Sequence, residues 1–114
     1  MTLVRQKVLG HMSQASRLKH RLDHWACRLR LAPRLVRVQR MTSKWGSCSD
    51  SGIISLAVDL ADQDDSFQDF VIVHELLHLK VPNHGRLFKA LMTVHVPGWR
   101  TLELEKHGSN GRYA

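Results

Sequence analysis

The stretch His74-Glu75-Leu76-Leu77-His78 constrains this chain more than any other. Two imidazoles four residues apart share one face of a helix and can reach a single ion. Glu75, one residue past the first of them, can reach a water on that ion without being a ligand itself. A third imidazole, His84, follows beyond Pro82-Asn83, a pair that reverses the chain. The two imidazoles of one helical turn fix two corners of a tetrahedron, so the third ligand has to come from outside that turn. The spacing therefore predicts a Zn2+ site held by His74, His78 and His84, with one position open to water. Zinc is preferred over other divalent ions by ligand type and spacing. Glu75 is then the general base toward water and the general acid toward a leaving amine, which makes amide hydrolysis the expected reaction. The surrounding residues strengthen the reading. Phe67, Phe70, Val71, Val73, Leu76, Leu77 and Leu79 make the predicted helix over 66–80 apolar nearly all round. Three unpaired polar side chains on a buried helix would be costly.

The remaining chain has to supply a core around that helix. Its 114 residues make one domain, and a hydrophobic content of 43% argues against disorder. There is no run of 18 apolar residues and no apolar stretch at the N-terminus, so the expected protein is cytoplasmic and makes no membrane contact. Cys27 and Cys48 are too few for a disulfide framework. The net charge of +7 is uneven, since residues 1–44 hold eleven Lys/Arg against a single Asp. Such a segment can attract nucleic acid, or it can simply be a solvated basic face.

The spacing of Leu18, Leu22, Trp25, Ala26 and Leu29 predicts a helix within residues 3–31, ended by Pro33. His20 and His24 on that helix lack a third partner and read as surface or packing residues. Residues 34–41 and 53–56 read as strands, expected to pair antiparallel across a loop at Asp50-Ser51-Gly52. Ser66 or Asp65 is the expected cap of the metal helix. Asn83 is expected to cap a helix over 84–95 that packs Leu87, Phe88, Leu91, Met92 and Val94. A short helix follows from Trp99 to Lys106, and residues 107–114 read as a flexible tail.

These motifs resemble a known family. The run Arg40-x-x-Ser43-Lys44-Trp45-Gly46-Ser47-Cys48-Ser49, then Ile53-Ile54-Ser55-Leu56, then Val71-Ile72-Val73-His74-Glu75-Leu76-Leu77-His78-Leu79, then Asn83-His84-x-x-x-Phe88, is similar to the YgjP-like zinc metallopeptidases, relatives of the SprT-like and Wss1-like proteases. The resemblance covers roughly residues 22–104. It implies an α+β, zincin-like minimal domain with an N-terminal helix, a small sheet, the active-site helix and a second ligand-bearing helix. It carries His74, His78 and His84 over as zinc ligands, Glu75 as the catalytic acid/base, and a peptide or protein as substrate. The family often has Asn-His-Ser and a Phe-Trp pair where this chain has Asn83-His84-Gly85 and Phe88-Lys89. Members tend to be longer at the N-terminus, so this chain reads as the minimal catalytic core.

Several roles stay open. Zincins bind peptides along a sheet edge, which makes Trp45, Gly46 and Ser47 candidate substrate contacts. Alternatively Trp45 covers the core and Gly46 forms a bulge. Cys48 is a candidate fourth ligand. His95, Arg86, Lys44 and Tyr113 are candidates for stabilising the oxyanion. A DNA-associated protease and a non-catalytic, metal-stabilised binding module are the rival functions.

Overall fold

In the computed structural model, residues 12–110 are described, with side chains through Leu104. Helix α1 spans Gln14–Leu29. Ser13 caps it, its Oγ accepting from the Ser16 amide at 3.1 Å. The predicted residues 3–11 of this helix lie outside the described residues. The helix stops before Pro33 is reached. Arg30 turns left-handed at φ 56°, and the Leu31 amide donates back to the Ala26 carbonyl at 3.0 Å. Leu18, Leu22, Trp25 and Ala26 are its buried face, at the predicted three- and four-residue spacing. His20 and His24 are exposed.

The sheet differs from expectation in direction. Strands β1 (Leu35–Gln39), β2 (Gly46–Cys48) and β3 (Ile53–Ala57) are ordered β1-β3-β2. β1 and β3 pair, as predicted from their apolar runs, but in parallel, with Leu35 opposite Ile53. The reason is β2, which takes the antiparallel place beside β3, with Cys48 opposite Ile54. A turn at Ser49–Gly52 closes that hairpin. Gly52 sits at φ 87°, a region open to glycine, and its amide donates to the Ser49 carbonyl at 3.0 Å. β1 therefore reaches β3 from the other side.

A 3-10 turn (Val58–Asp62) leads into α2 (Asp65–Leu77). Its cap position is Asp64, not Asp65 or Ser66, and the Asp64 side chain makes no capping hydrogen bond. Gln68 instead ties the entry, its Nε2 donating to the carbonyls of Ala61 and Gln63 at 3.2 and 2.9 Å. Beyond its exposed first two residues α2 is buried except at Asp69, with Ile72, Val73 and Leu76 fully enclosed. Asp69 fixes α1 to it. One carboxylate accepts from Arg21 Nε at 2.7 Å, Arg21 Nη2 at 3.1 Å and the Trp25 indole N–H at 2.7 Å.

Past Leu77 the chain tightens. The amides of His78, Leu79 and Lys80 donate three residues back, and Val81 donates to the Leu77 carbonyl at 2.8 Å. Helix α3 spans Arg86–His95, and its cap position is Gly85 rather than Asn83. Asn83 makes an Asx turn instead, its Oδ1 accepting from the Gly85 amide at 3.1 Å. Gly98, at φ 83°, turns the chain into α4 (Trp99–Asn110), which continues past Lys106. Residues 111–114 lie outside the described residues. Among the described residues, no helix is long and apolar enough to cross a membrane.

Candidate metal centre

Three histidines meet where α2 ends and the loop before α3 folds back. One ring nitrogen of each of His74, His78 and His84 lies within 4.8 Å of the others. His74 is on the last turns of α2, and His78 is its C-cap residue, still in helical geometry. The i,i+4 relation therefore holds to the helix end and places both rings on one face. His84 is not on α3, as expected from the sequence, but in the loop just before it. From there it reaches His78, with the two Nε2 atoms 2.8 Å apart.

Phe88, one turn into α3 and 2% exposed, is the floor beneath the cluster. Its ring centroid lies 5.2, 4.9 and 4.7 Å from those of His74, His78 and His84, and it stacks on His78. The backbone fixes the His78 tautomer. The Val81 carbonyl can only accept, so His78 Nδ1 donates to it at 3.0 Å and Nε2 keeps a free lone pair. Burial, and then the nearby His74, hold His78 below the ordinary histidine pKa. Burial, and then His74 and His78, do the same for His84. Neutral imidazoles are what a divalent ion needs, and their nitrogen-only donor set suits zinc. The short Nε2–Nε2 approach aims two donors at one place, so the residues fit a metal.

Glu75 is 2% exposed and its Oε2 lies 3.0 Å from His74 Nδ1. A buried carboxylate thus borders the cluster directly. Gly46 of β2 keeps room for it, since a Cβ there would stand 3.0 Å from Glu75 Cγ, 3.1 Å from Val71 Cγ1 and 3.3 Å from the Ser55 carbonyl oxygen. Trp45 is 3% exposed and packs edge-on to Phe67 at 5.5 Å, so its ring is in the core. Ser47 is half-buried on β2, opposite Ser55.

Two cavities flank the cluster. The larger, about 490 Å3, is bounded by Cys48, Asp50, Lys80 and Pro82 together with His78 and His84. Cys48 is therefore close by, but it is not one of the converging donors. Burial, then the charges of Glu75 and Asp50, raise its thiol pKa and disfavour the thiolate. The smaller cavity, about 230 Å3, is bounded by His74, His84 and Phe88, with Lys89, Trp99, Arg100 and Glu103. The sequence reading missed these last charged residues. They sit on two helices, and no motif links them. None of Arg86, Lys44 and His95 lines either cavity, and Tyr113 lies outside the described residues. The basic face of α1 forms a separate groove of about 540 Å3 along Arg17, His20, Arg21, His24 and Arg28, which no histidine of the cluster lines.

Comparison with known proteins agrees with this geometry. Residues 7–106 match the YgjP-like family, described as a metallopeptidase domain. The fold is similar to the crystal structure of the metallopeptidase zymogen abylysin of Pyrococcus abyssi, with TM-score 0.72 and 20% identity over 84% of this chain and 97% of that one. It is also similar to the metallopeptidase zymogen jannalysin of Methanocaldococcus jannaschii, with TM-score 0.70 and 20% identity over 81% of this chain and 95% of that one. No curated protein sequence matches the chain. The two archaeal structures establish the α+β, zincin-like fold, and the family match adds the catalytic class, a metal-dependent hydrolase of peptide bonds. With that match spanning the sheet, the histidine cluster, α1 to α3 and the first part of α4, the chain belongs to the YgjP-like metallopeptidase domain family.

Proposed function

We propose that the metal is zinc, that His74, His78 and His84 are its ligands, and that Glu75 is the catalytic acid/base. One observation carries this reading: three imidazoles, two of them held neutral, converge beside a buried carboxylate. When bound, the ion supplies Lewis acidity, acidifying water toward neutrality and polarising a carbonyl. The protein's own groups do the rest. Glu75 takes a proton from the attacking water on its carboxylate and delivers it to the leaving amide nitrogen. The Val81 carbonyl and the Phe88 ring hold His78 in one tautomer and one orientation. β2 is an edge strand of the sheet, as β1 is at the other side, and it runs beside α2 at Glu75. An extended peptide can add to that edge as a further strand, with Gly46 and Ser47 as contacts. Trp45 then serves by supporting the strand from the core. Two free cysteines accord with a cytoplasmic setting.

The test is zinc-loaded protein on an unfolded polypeptide, with metal content measured in parallel. Glu75→Gln is expected to keep its zinc and lose at least a hundredfold in rate, the scale of general acid/base catalysis. His84→Ala is expected to lose zinc. Hydrolysis surviving in Glu75→Gln removes the mechanism, and full zinc occupancy in His84→Ala removes that ligand.

A further inference from the structure

We propose that the smaller cavity, at the junction of α3 and α4, is a subsite that selects a peptide carboxylate close to the bond being cut, with Lys89, Arg100 and Glu103 setting the selection. The inference rests on the peptidase reading of the histidine cluster. His74 and His84 form part of the cavity wall, so whatever fills it touches the cluster. Its volume of about 230 Å3 suits one side chain or a chain terminus rather than a length of peptide.

The cavity is also built rather than incidental. Phe88 and Trp99, 2% and 5% exposed, form its rigid apolar part. Thr93 locks the two helices together there: its hydroxyl donates to the Lys89 carbonyl at 2.9 Å and accepts from the Trp99 indole N–H at 3.1 Å. Trp99 in turn holds Arg100, whose guanidinium carbon lies 4.7 Å over the indole ring. The Trp99–Thr93 contact that joins α4 to α3 thus sets how far apart the two helices carry Lys89 and Arg100.

Charge decides what the cavity takes. Lys89 and Arg100 are exposed and Glu103 is half-buried, so the lining carries one net positive charge. Among the described residues no ion pair within 4.0 Å engages Lys89, Arg100 or Glu103. Both cations are exposed on the wall of one cavity, and a guanidinium and an ammonium that share a cavity suit a carboxylate. Glu103 is the opposing charge, and it weakens the selection. A carboxylate on a peptide has two sources, an Asp or Glu side chain next to the cleaved bond or the C-terminus itself.

The experiment uses zinc-loaded protein and peptides with Glu, Gln or Lys on either side of one scissile bond, each as free acid and as amide. On one side of the bond, Glu is expected to exceed Gln by roughly two- to fivefold in kcat/KM, the range of exposed charge pairs. For a C-terminal carboxylate, the free acid exceeds the amide by the same factor. Lys89→Ala and Arg100→Ala bring the ratio toward one, Glu103→Gln raises it, and the double charge reversal Lys89→Glu/Arg100→Glu turns it toward Lys. Preference that survives amidation assigns the side chain; preference lost on amidation assigns the terminus. Equal cleavage of all these peptides by the wild type, or ratios that the variants leave unmoved, overturns the subsite. The same ratios are read as peptide Kd by fluorescence anisotropy on Glu75→Gln. If the wild type cleaves nothing, the peptidase reading fails by itself, and the binding ratios still decide the subsite.

Discussion

Gly46→Ala tests how the sheet positions the carboxylate. Gly46 has no left-handed φ, so its role is steric: β2 passes so close to α2 that a single methyl group meets Glu75. The new Cβ would be 3.0 Å from Glu75 Cγ and 3.3 Å from the Ser55 carbonyl oxygen. The carbonyl belongs to the sheet backbone and cannot yield. Restoring an ordinary contact requires Glu75 Cγ to move by about 0.5 Å, and the side chain is 2% exposed, with no solvent to move into. The movement passes to Oε2 and breaks its 3.0 Å contact with His74 Nδ1. Overpacking of this kind costs about 1–3 kcal/mol of stability. A displaced catalytic group also costs rate, roughly ten- to a hundredfold in kcat for a shift approaching 1 Å. The assay is kcat and KM on a quenched fluorescent peptide, with zinc content and urea denaturation on the same sample. Zinc is expected to stay bound, KM to change little and kcat to fall. A kcat within twofold of wild type, with zinc retained, refutes the steric account of Gly46.

Three further perturbations probe the surroundings. Asp69→Ala removes the acceptor of the Trp25 indole N–H and the closer of Arg21's two carboxylate partners, and is expected to cost about 2 kcal/mol in urea denaturation, less than a fully buried charge network because Arg21 and Asp69 are partly exposed. Asn83→Ala removes the Asx turn that brackets His84 and is expected to weaken zinc binding about fivefold in competition with a chelator, while every proposed ligand remains in place. The metal-free protein is expected to lose stability on acidification. His78 and His84 are held below the ordinary value of 6.5, so the unfolded chain takes up protons first as the pH falls. Their contribution is intact above pH 6.5 and disappears as the pH falls through the folded-state values. Urea titrations from pH 7.5 to 5 check this, and stability that stays level or rises over that interval refutes it.

The site was legible in the sequence to the extent that its determinants are local. His74 and His78 are neighbours because a helix makes them so, and the apolar residues around them predict the burial of Glu75. His84 returns because the helix ends at Leu77 in tightened turns, ahead of Pro82, and the chain returns it on a loop. Asn83 bonds the Gly85 amide there, and α3 starts only at Arg86. What stayed hidden depends on distant partners. Gly46-Ser47-Cys48 has no alternation to mark a strand and becomes one by pairing with β3. Its presence reverses the direction in which β1 must join. Lys89, Arg100 and Glu103 converge only because Trp99 bonds Thr93, a contact that neither residue's spacing reveals. The one local hint was Arg100 and Glu103 at i,i+3 beside a tryptophan.

Different parts of the fold hold the three histidines, and they are held unequally. His74 lies in the buried second half of α2 and is 6% exposed. His78 is at the helix end, fixed by the Val81 carbonyl and the Phe88 ring. His84 is exposed, on a turn of three residues between a proline and a helix without a side-chain cap. On the proposed reading, two ligands are organised by the core before any ion arrives, and the third sits on a turn that a bound ion would help to order. Affinity then depends most on the conformational freedom of residues 82–85, because the entropy of ordering them is the part of the binding cost that the core does not meet. The same loop separates the two cavities on either side of the cluster, since His84 lines both. A change that loosens it is therefore expected to weaken metal binding and to blur the distinction between the two sides of the cleft together.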